Sequence, residues 1–277
     1  MISVKDLHFS YSQKTVFNGL NLQLTPGYIY GLLGKNGTGK TTLLYNLAGL
    51  LFPAKGSVTV SGFIPGERKP AFLQDIFMVP EEFHLPDVSI KQYIKYTAPF
   101  YPWFSDERFA EYLTEFGVPY NSNLSSLSYG QKKKVLISFG IAANTSLLLM
   151  DEPTNGLDIA GKSQLRKIIA GAFDDKKCIV ISSHQVKDLE NLVDRVTVID
   201  NGDILLDESI QKIAEKLSFK ISYDASEISW SIYSEPLLRG SAVVVVNLDG
   251  EESKIDLELL YKASMANPKL IHSIFNN

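Results

Sequence analysis

Apolar and polar residues alternate over residues 4–9 and 20–24, the period of a strand with one buried face, and residues 28–33 form a short apolar run closed by Gly27 and Gly34. After Lys40 the leucines at 43, 44, 47 and 50 share one helical face, which predicts a helix over 41–50 ended by Pro53 and Gly56. Strands follow over 56–61 and 76–79, and then an aromatic-rich stretch over 84–116 with helical spacing, read as an inserted helical lobe. A helix over 130–143, a buried strand over 146–150, a helix over 162–173, a strand over 178–182 and a helix over 186–193 complete the alternation. Strands that alternate with helices predict an α/β fold with a mainly parallel sheet. Strands over 196–199 and 204–206 bracket Asn201-Gly202, a hairpin signal. This first domain is expected to close near Leu217. Beyond it, alternation over 219–223, 228–233 and 242–248 predicts strands, and 257–275 helical segments interrupted by Pro268, giving a small α+β extension.

The chain has 277 residues, is 45% hydrophobic and 21% charged, and sets 27 basic against 31 acidic side chains for a net charge of −4. This is a globular composition that excludes disordered and fibrous classes. No apolar run approaches the ~18–20 residues needed to cross a bilayer, and charges enter within the opening Met-Ile-Ser-Val-Lys-Asp. The expectation is a cytoplasmic chain with no secretory signal and no direct membrane insertion. The slight negative charge argues against a broad nucleic-acid surface and leaves a local basic patch open. Lys132, Lys133 and Lys134 are read as solvated or neighbour-paired lysines fanned around a helix. The single cysteine, Cys178, sits in an apolar run and is expected to be a buried strand residue, so no intrachain disulfide forms.

Chemistry enters at Gly34-Lys35-Asn36-Gly37-Thr38-Gly39-Lys40-Thr41, a P-loop pattern between a predicted strand and a predicted helix. Its glycines let backbone N–H groups turn inward, and the helix that follows presents its positive end to phosphate. Gly34, Asn36, Gly37, Thr38, Gly39 and Thr42 are therefore candidate ATP-binding residues, with Lys40 expected to reach the β- and γ-phosphates and Thr41 to bind Mg²⁺. A second acidic element, Leu147 to Pro153, puts Asp151 and Glu152 at the end of a buried strand. Asp151 is the metal candidate there, and Glu152 the candidate general base that polarises an attacking water.

With these two motifs, Leu127-Ser128-Tyr129-Gly130-Gln131, about twenty residues before Asp151, completes a set that resembles the ATP-binding cassette family over roughly residues 1–217. The resemblance implies a P-loop NTPase cassette with an N-terminal antiparallel β subdomain and an inserted helical subdomain at about 84–143, followed by the 218–277 extension. It implies that Tyr11 stacks on adenine, that Asn155 to Asp158 form the D-loop, and that His184 is the switch histidine contacting the γ-phosphate. It also implies a head-to-tail dimer, in which the signature residues Ser128, Gly130 and Gln131 serve the nucleotide of a second cassette, with Asp158 of the D-loop a further nucleotide-binding candidate. Ser128 and Gly130 open a helix, so hydroxyl, backbone N–H groups and helix dipole make an anion site. One chain carries one set, and a homodimer is the simplest source of the other.

Two residues depart from the family pattern. Tyr129 stands where the common signature has glycine, and Glu81, followed by Glu82, stands where the Q-loop glutamine is expected. A carboxylate at Glu81 binds metal more strongly than an amide but adds negative charge beside the phosphates, and it is carried as a third metal candidate. Val79-Pro80-Glu81-Glu82, Phe100-Tyr101-Pro102-Trp103 and Asp106-Glu107 look most like ATPases of ABC-2 or drug-export systems. The expected function is an ATPase subunit, peripheral on the cytoplasmic membrane face, that energises a separate membrane permease, with no nucleic-acid partner. The alternatives are a cassette ATPase of a non-transport assembly machine, such as metal-cluster biogenesis, and a nucleotide-binding regulator without turnover, against which Glu152 and His184 both speak.

Overall fold

The computed structural model describes residues 1–276 apart from Gln13, Asp249, Glu251 and Glu252. Along the chain run β1 (Ile2–Tyr11), β2 (Lys14–Leu24), β3 (Tyr28–Leu33), α1 (Lys40–Leu47), β4 (Lys55–Val60), α2 (Pro70–Leu73), β5 (Ile76–Val79), α3 (Ile90–Thr97), α4 (Asp106–Glu115), α5 (Tyr129–Ala142), β6 (Leu147–Asp151), α6 (Ile159–Ala172), β7 (Cys178–Ser183), β8 (Arg195–Asp200) and β9 (Asp203–Ser209). The C-terminal part adds α7 (Ile210–Lys216), β10 (Leu217–Ser222), α8 (Ala225–Trp230), β11 (Tyr233–Pro236), β12 (Ser241–Val246), α9 (Leu257–Ala266) and α10 (Pro268–Asn276).

Three sheets result. The central one has the order β5-β6-β7-β3-β8-β9, parallel throughout except for the β8–β9 hairpin, and its near-continuous apolar strands match a sheet covered on both faces. An antiparallel sheet β2-β1-β4 covers one face, where Val4, Phe17, Leu22 and Val58 meet Leu43, Leu47, Leu147 and Val180. The other face carries a second core that begins with Ile29, Phe77 and Ile179, takes in α5, and continues without a break into Phe219, Val244, Leu260 and Ile271 of the C-terminal part. There β10-β12-β11 form the third sheet.

The aromatic stretch is largely core. Phe139 of α5 is fully buried among Phe77, Tyr93, Tyr101, Phe104 and Phe109, with ring centroids 4.8 to 6.3 Å away. Tyr96, Phe100 and Trp103 of the same stretch remain exposed. Capping boxes, Ser89 with Gln92 and Ser128 with Gln131, start α3 and α5, and Asp158 caps α6.

Three predicted elements change. The strand expected at 228–233 is divided between α8, which Asp224 caps through the Ser226 N–H at 2.9 Å, and β11. The helix expected at 186–193 shrinks to a 3₁₀ turn over Val186–Leu189, because Glu190 turns to extended geometry and Asn191 takes φ +59°. The helix expected at 41–50 ends at Leu47, and Gly49 with φ +68° reverses the chain.

Candidate active site

The parallel register brings three loops to one sheet edge. Leu33 pairs with Ser183 and Asp151 with Ser182, so the loop after β3, the end of β6 and the loop after β7 all open at the carboxyl ends of neighbouring strands. That edge is where open α/β sheets bind ligands.

The glycine loop runs from β3 into α1. A Cβ on Gly34 would lie 2.6 Å from both the Ile199 carbonyl oxygen and Thr38 Oγ1, and Gly39, with φ +109°, is the residue that caps α1. Only glycine meets both demands without strain. Lys40 folds back into the loop, buried, and its Nζ donates to the carbonyl oxygens of Gly34 at 2.8 Å and Lys35 at 3.2 Å. Thr41 Oγ1 donates to Asp151 Oδ2 at 2.7 Å, and Ser182 Oγ donates to Asp151 Oδ1 at 2.5 Å, which fixes the fully buried carboxylate. Nothing in the sequence pattern singled out Ser182; its signal is its position at the end of β7 facing Asp151.

Glu152 has φ +45° and is buried. Its N–H reaches Ser182 Oγ at 3.1 Å, while its carbonyl oxygen accepts from Lys133 Nζ at 2.7 Å. Oε1 lies 3.0 Å from His184 Nδ1 and 3.4 Å from Lys40 Nζ, yet neither carboxylate oxygen receives a hydrogen bond of regular geometry. A buried carboxylate with free acceptor capacity has room for a further donor.

Of the lysines expected to be solvated or neighbour-paired, Lys133 is neighbour-paired, and far more deeply than on a solvated face. It is fully buried, and burial lowers its pKa while the carboxylates of Glu81, Asp151 and Glu152 raise it in opposition. Lys134 reaches the Phe116 carbonyl oxygen at 3.3 Å. The signal for Lys133 lay in its spacing, three residues before Leu136 and four before Ile137 of the buried face.

Tyr11, Asn36, Gly37, Gly39, Lys40, Thr41, Thr42, Glu81 and Glu152 line a single cleft, joined by Lys14 and Val16, which the sequence reading did not name. Tyr11 is half exposed, with its ring edge-on to Phe9 at 4.9 Å. Glu81 Oε1 accepts from Asn155 Nδ2 at 3.0 Å, and the Glu81 carbonyl oxygen accepts from Tyr129 Oη at 2.7 Å. Ser128, Gly130, Gln131 and Asp158 do not line the cleft. Ser128 and Gln131 are engaged with one another at the start of α5, and Asp158 Oδ1 accepts from the Gly161 N–H at 2.8 Å. A Cβ on Gly130 would lie 2.6 Å from the Gly156 carbonyl oxygen, so the signature packs directly on the D-loop.

Among the described residues no cluster of three or more His, Cys, Asp or Glu side chains could hold a metal alone. A threonine hydroxyl with one or two carboxylates is instead the donor set that suits magnesium when nucleotide phosphates supply the remaining oxygens. Thr41 and Asp151, with Glu81 on the same cleft, fit that set.

A glycine loop at the end of β3, a buried lysine inside it and a carboxylate at the end of β6, one strand beyond β7, define a P-loop nucleotide-binding protein. Residues 17–155 match the family model described as ABC transporter, and the chain belongs to that family. It is the ATP-binding, ATP-hydrolysing subunit of an ABC transporter. Similar proteins include the linearmycin resistance ATP-binding protein LnrL of Bacillus subtilis, 28% identical over 211 residues, 74% of this chain and 68% of that protein. The cobalt import ATP-binding protein CbiO of Salmonella paratyphi A is 34% identical over 226 residues, 74% of this chain and 80% of that protein. Among solved structures, cbiO1 from Clostridium perfringens, part of the ABC transporter complex cbiONQ, superposes with a TM-score of 0.64 at 26% identity, covering 76% of this chain and 89% of that one.

Proposed function

We propose that the chain is the ATPase of an exporter, with residues 1–217 as the nucleotide-binding domain and 218–277 as an accessory extension. The observation that carries the catalytic part is the meeting of Lys40, His184 and Glu152 at one carboxylate oxygen. Lys40 leaves its loop carbonyls for the β- and γ-phosphates, Tyr11 stacks on the base, and the loop backbone of residues 36–42 surrounds the phosphates. Thr41, Asp151 and Glu81 would hold magnesium, which would neutralise charge at the phosphates. Glu152 accepts the proton of the attacking water, and His184 holds Glu152 and the γ-phosphate side in register.

Ser128, Gly130, Gln131 and Asp158 lie apart from the cleft, which supports a head-to-tail homodimer in which they face the partner's nucleotide. ATP then joins two copies, and hydrolysis lets them part. The permease contact is assigned to the groove lined by Leu50, Arg68, Leu73, Met78, Phe100 and Tyr101, beside exposed Tyr96 and Trp103. An apolar groove with a few polar groups suits a helix from a membrane partner. No helix among the described residues is long and apolar enough to cross a membrane itself.

Export is favoured over import by the resistance relative, since removing a compound from the cell produces resistance, and by the sequence around Glu81 and Phe100. Import is the second reading, favoured by the similarity to the cobalt importer. Tagging the chain in its native cell, extracting membranes in mild detergent and identifying what co-purifies tests the assignment. A stoichiometric multispan protein is expected, and transport by the pair in inside-out vesicles then gives the direction. Recovery with cytosolic partners alone would move the chain to a non-transport ATP machine.

A further inference from the structure

Helix α5 presents Tyr129 and Lys133 four residues apart on one face. Each meets the main chain of an acidic segment of the cleft. Tyr129 Oη donates to the Glu81 carbonyl oxygen at 2.7 Å, and its ring stacks on Phe83 at 5.1 Å. Lys133 Nζ, fully buried, donates to the Glu152 carbonyl oxygen at 2.7 Å. A lysine is almost never wholly buried unless something compensates its charge, and leaving water for a backbone carbonyl alone is costly. The neighbouring carboxylates of Glu81, Asp151 and Glu152 supply that compensation.

The backbone that Lys133 grips is itself unusual. Glu152 occupies the left-handed region at φ +45°, a conformation that persists in a residue with a side chain only when its surroundings hold it. Ser182 holds the amide end, through its hydroxyl at 3.1 Å and its carbonyl oxygen at 3.2 Å, and Lys133 holds the carbonyl end. The side chain between these anchors touches His184 Nδ1 at 3.0 Å and Lys40 Nζ at 3.4 Å through Oε1 but carries no regular hydrogen bond, so the backbone shares with these two side chains in setting where its carboxylate points.

We infer that Lys133 is a positioning residue for ATP hydrolysis, fixing the Glu152 main chain so that helix α5 takes part in placing the carboxylate. The inference rests on Glu152 being the general base. Tyr129 extends the same control to Glu81, which Asn155 ties back to the segment after Glu152. Movement of the first two turns of α5 therefore shifts both acidic segments together.

The test compares ATP turnover by the full chain and by Lys133→Met, Lys133→Arg, Glu152→Gln and the Lys133→Met/Glu152→Gln double variant, with a melting temperature for each. Lys133→Met is expected to lower kcat by about tenfold to a hundredfold, the scale of a small misplacement of a catalytic group. KM for ATP should stay within about twofold, because ground-state binding does not use Lys133. Lys133→Arg should recover part of kcat, and the double variant should be no slower than Glu152→Gln alone. An unchanged kcat in Lys133→Met, or a loss of kcat matched by a rise in KM and a collapse of the melting temperature, overturns the inference. If Lys133→Met does not accumulate folded, Lys133→Gln and Lys133→Arg are judged by the same separation of kcat from KM. Parental turnover by Glu152→Gln removes the premise, whereas an inactive Glu152→Gln beside an unaffected Lys133→Met removes the inference alone.

Discussion

His184 Nδ1 lies 3.0 Å from Glu152 Oε1, a contact between the loop that leaves β7 and the residue that follows β6. It joins two adjacent parallel strands at their carboxyl ends and leaves the carboxylate without a well-formed hydrogen bond.

Glu152→Gln keeps the size of the side chain and removes its basicity. Phosphate release should fall by about 10²–10⁴-fold, the usual contribution of a positioned base, while ATP still binds. Gel filtration with ATP should then show an accumulated dimer. Normal phosphate release would end the general-base assignment.

Lys40→Ala removes the ammonium that now rests on the Gly34 and Lys35 carbonyls. Hydrogen bonds to charged groups are worth roughly 1.5–3 kcal/mol, so ATP affinity should drop by about tenfold to a hundredfold in a fluorescent-nucleotide titration. Affinity equal to the parent would mean the phosphates bind elsewhere.

Much of this site could be read from the residues, because a P-loop is a contiguous pattern whose chemistry is tied to spacing. The strand-to-helix turn at Gly34 to Thr41 and the carboxylates at the end of β6 are of that kind. What escaped depends on neighbours distant in sequence. Ser182 matters because β7 lies beside β6, and the burial of Lys133 because α5 runs beneath the segment after β6. Alternation misled at residues 228–233, where Ile228, Trp230 and Ile232 mimic a strand but the Asp224 cap starts a helix. The long β2 was only half visible, since its first residues, from Lys14, are held by pairing with β1 rather than by burial.

Phe139→Ala should destabilise the fold by about 3–5 kcal/mol in urea unfolding, the range for emptying a fully buried aromatic site. Phe100→Ser, on the exposed part of the same lobe, should change stability by less than about 0.5 kcal/mol. It should instead reduce the amount of permease that co-purifies.

Burial pushes the Cys178 thiol up to about 12 from its ordinary 9.0. The native protein therefore keeps a proton that the unfolded chain releases as the pH passes about 9. Stability should be insensitive to this group below that point and should decline between pH 9 and 12. At pH 8 a thiol-specific reagent should label Cys178 only once the protein is denatured. Rapid labelling of the native form would show that β7 is open to solvent.

The unbroken apolar core that joins Ile29 and Ile179 to Phe219, Val244, Leu260 and Ile271 has a thermodynamic consequence. A C-terminal part hung on a linker would melt by itself and leave the rest folded. Here its loss would strip water-excluding cover from the central sheet, so calorimetry should record one endotherm for the whole chain rather than two. A protease that cuts beyond Leu217 should act at the pace of global unfolding.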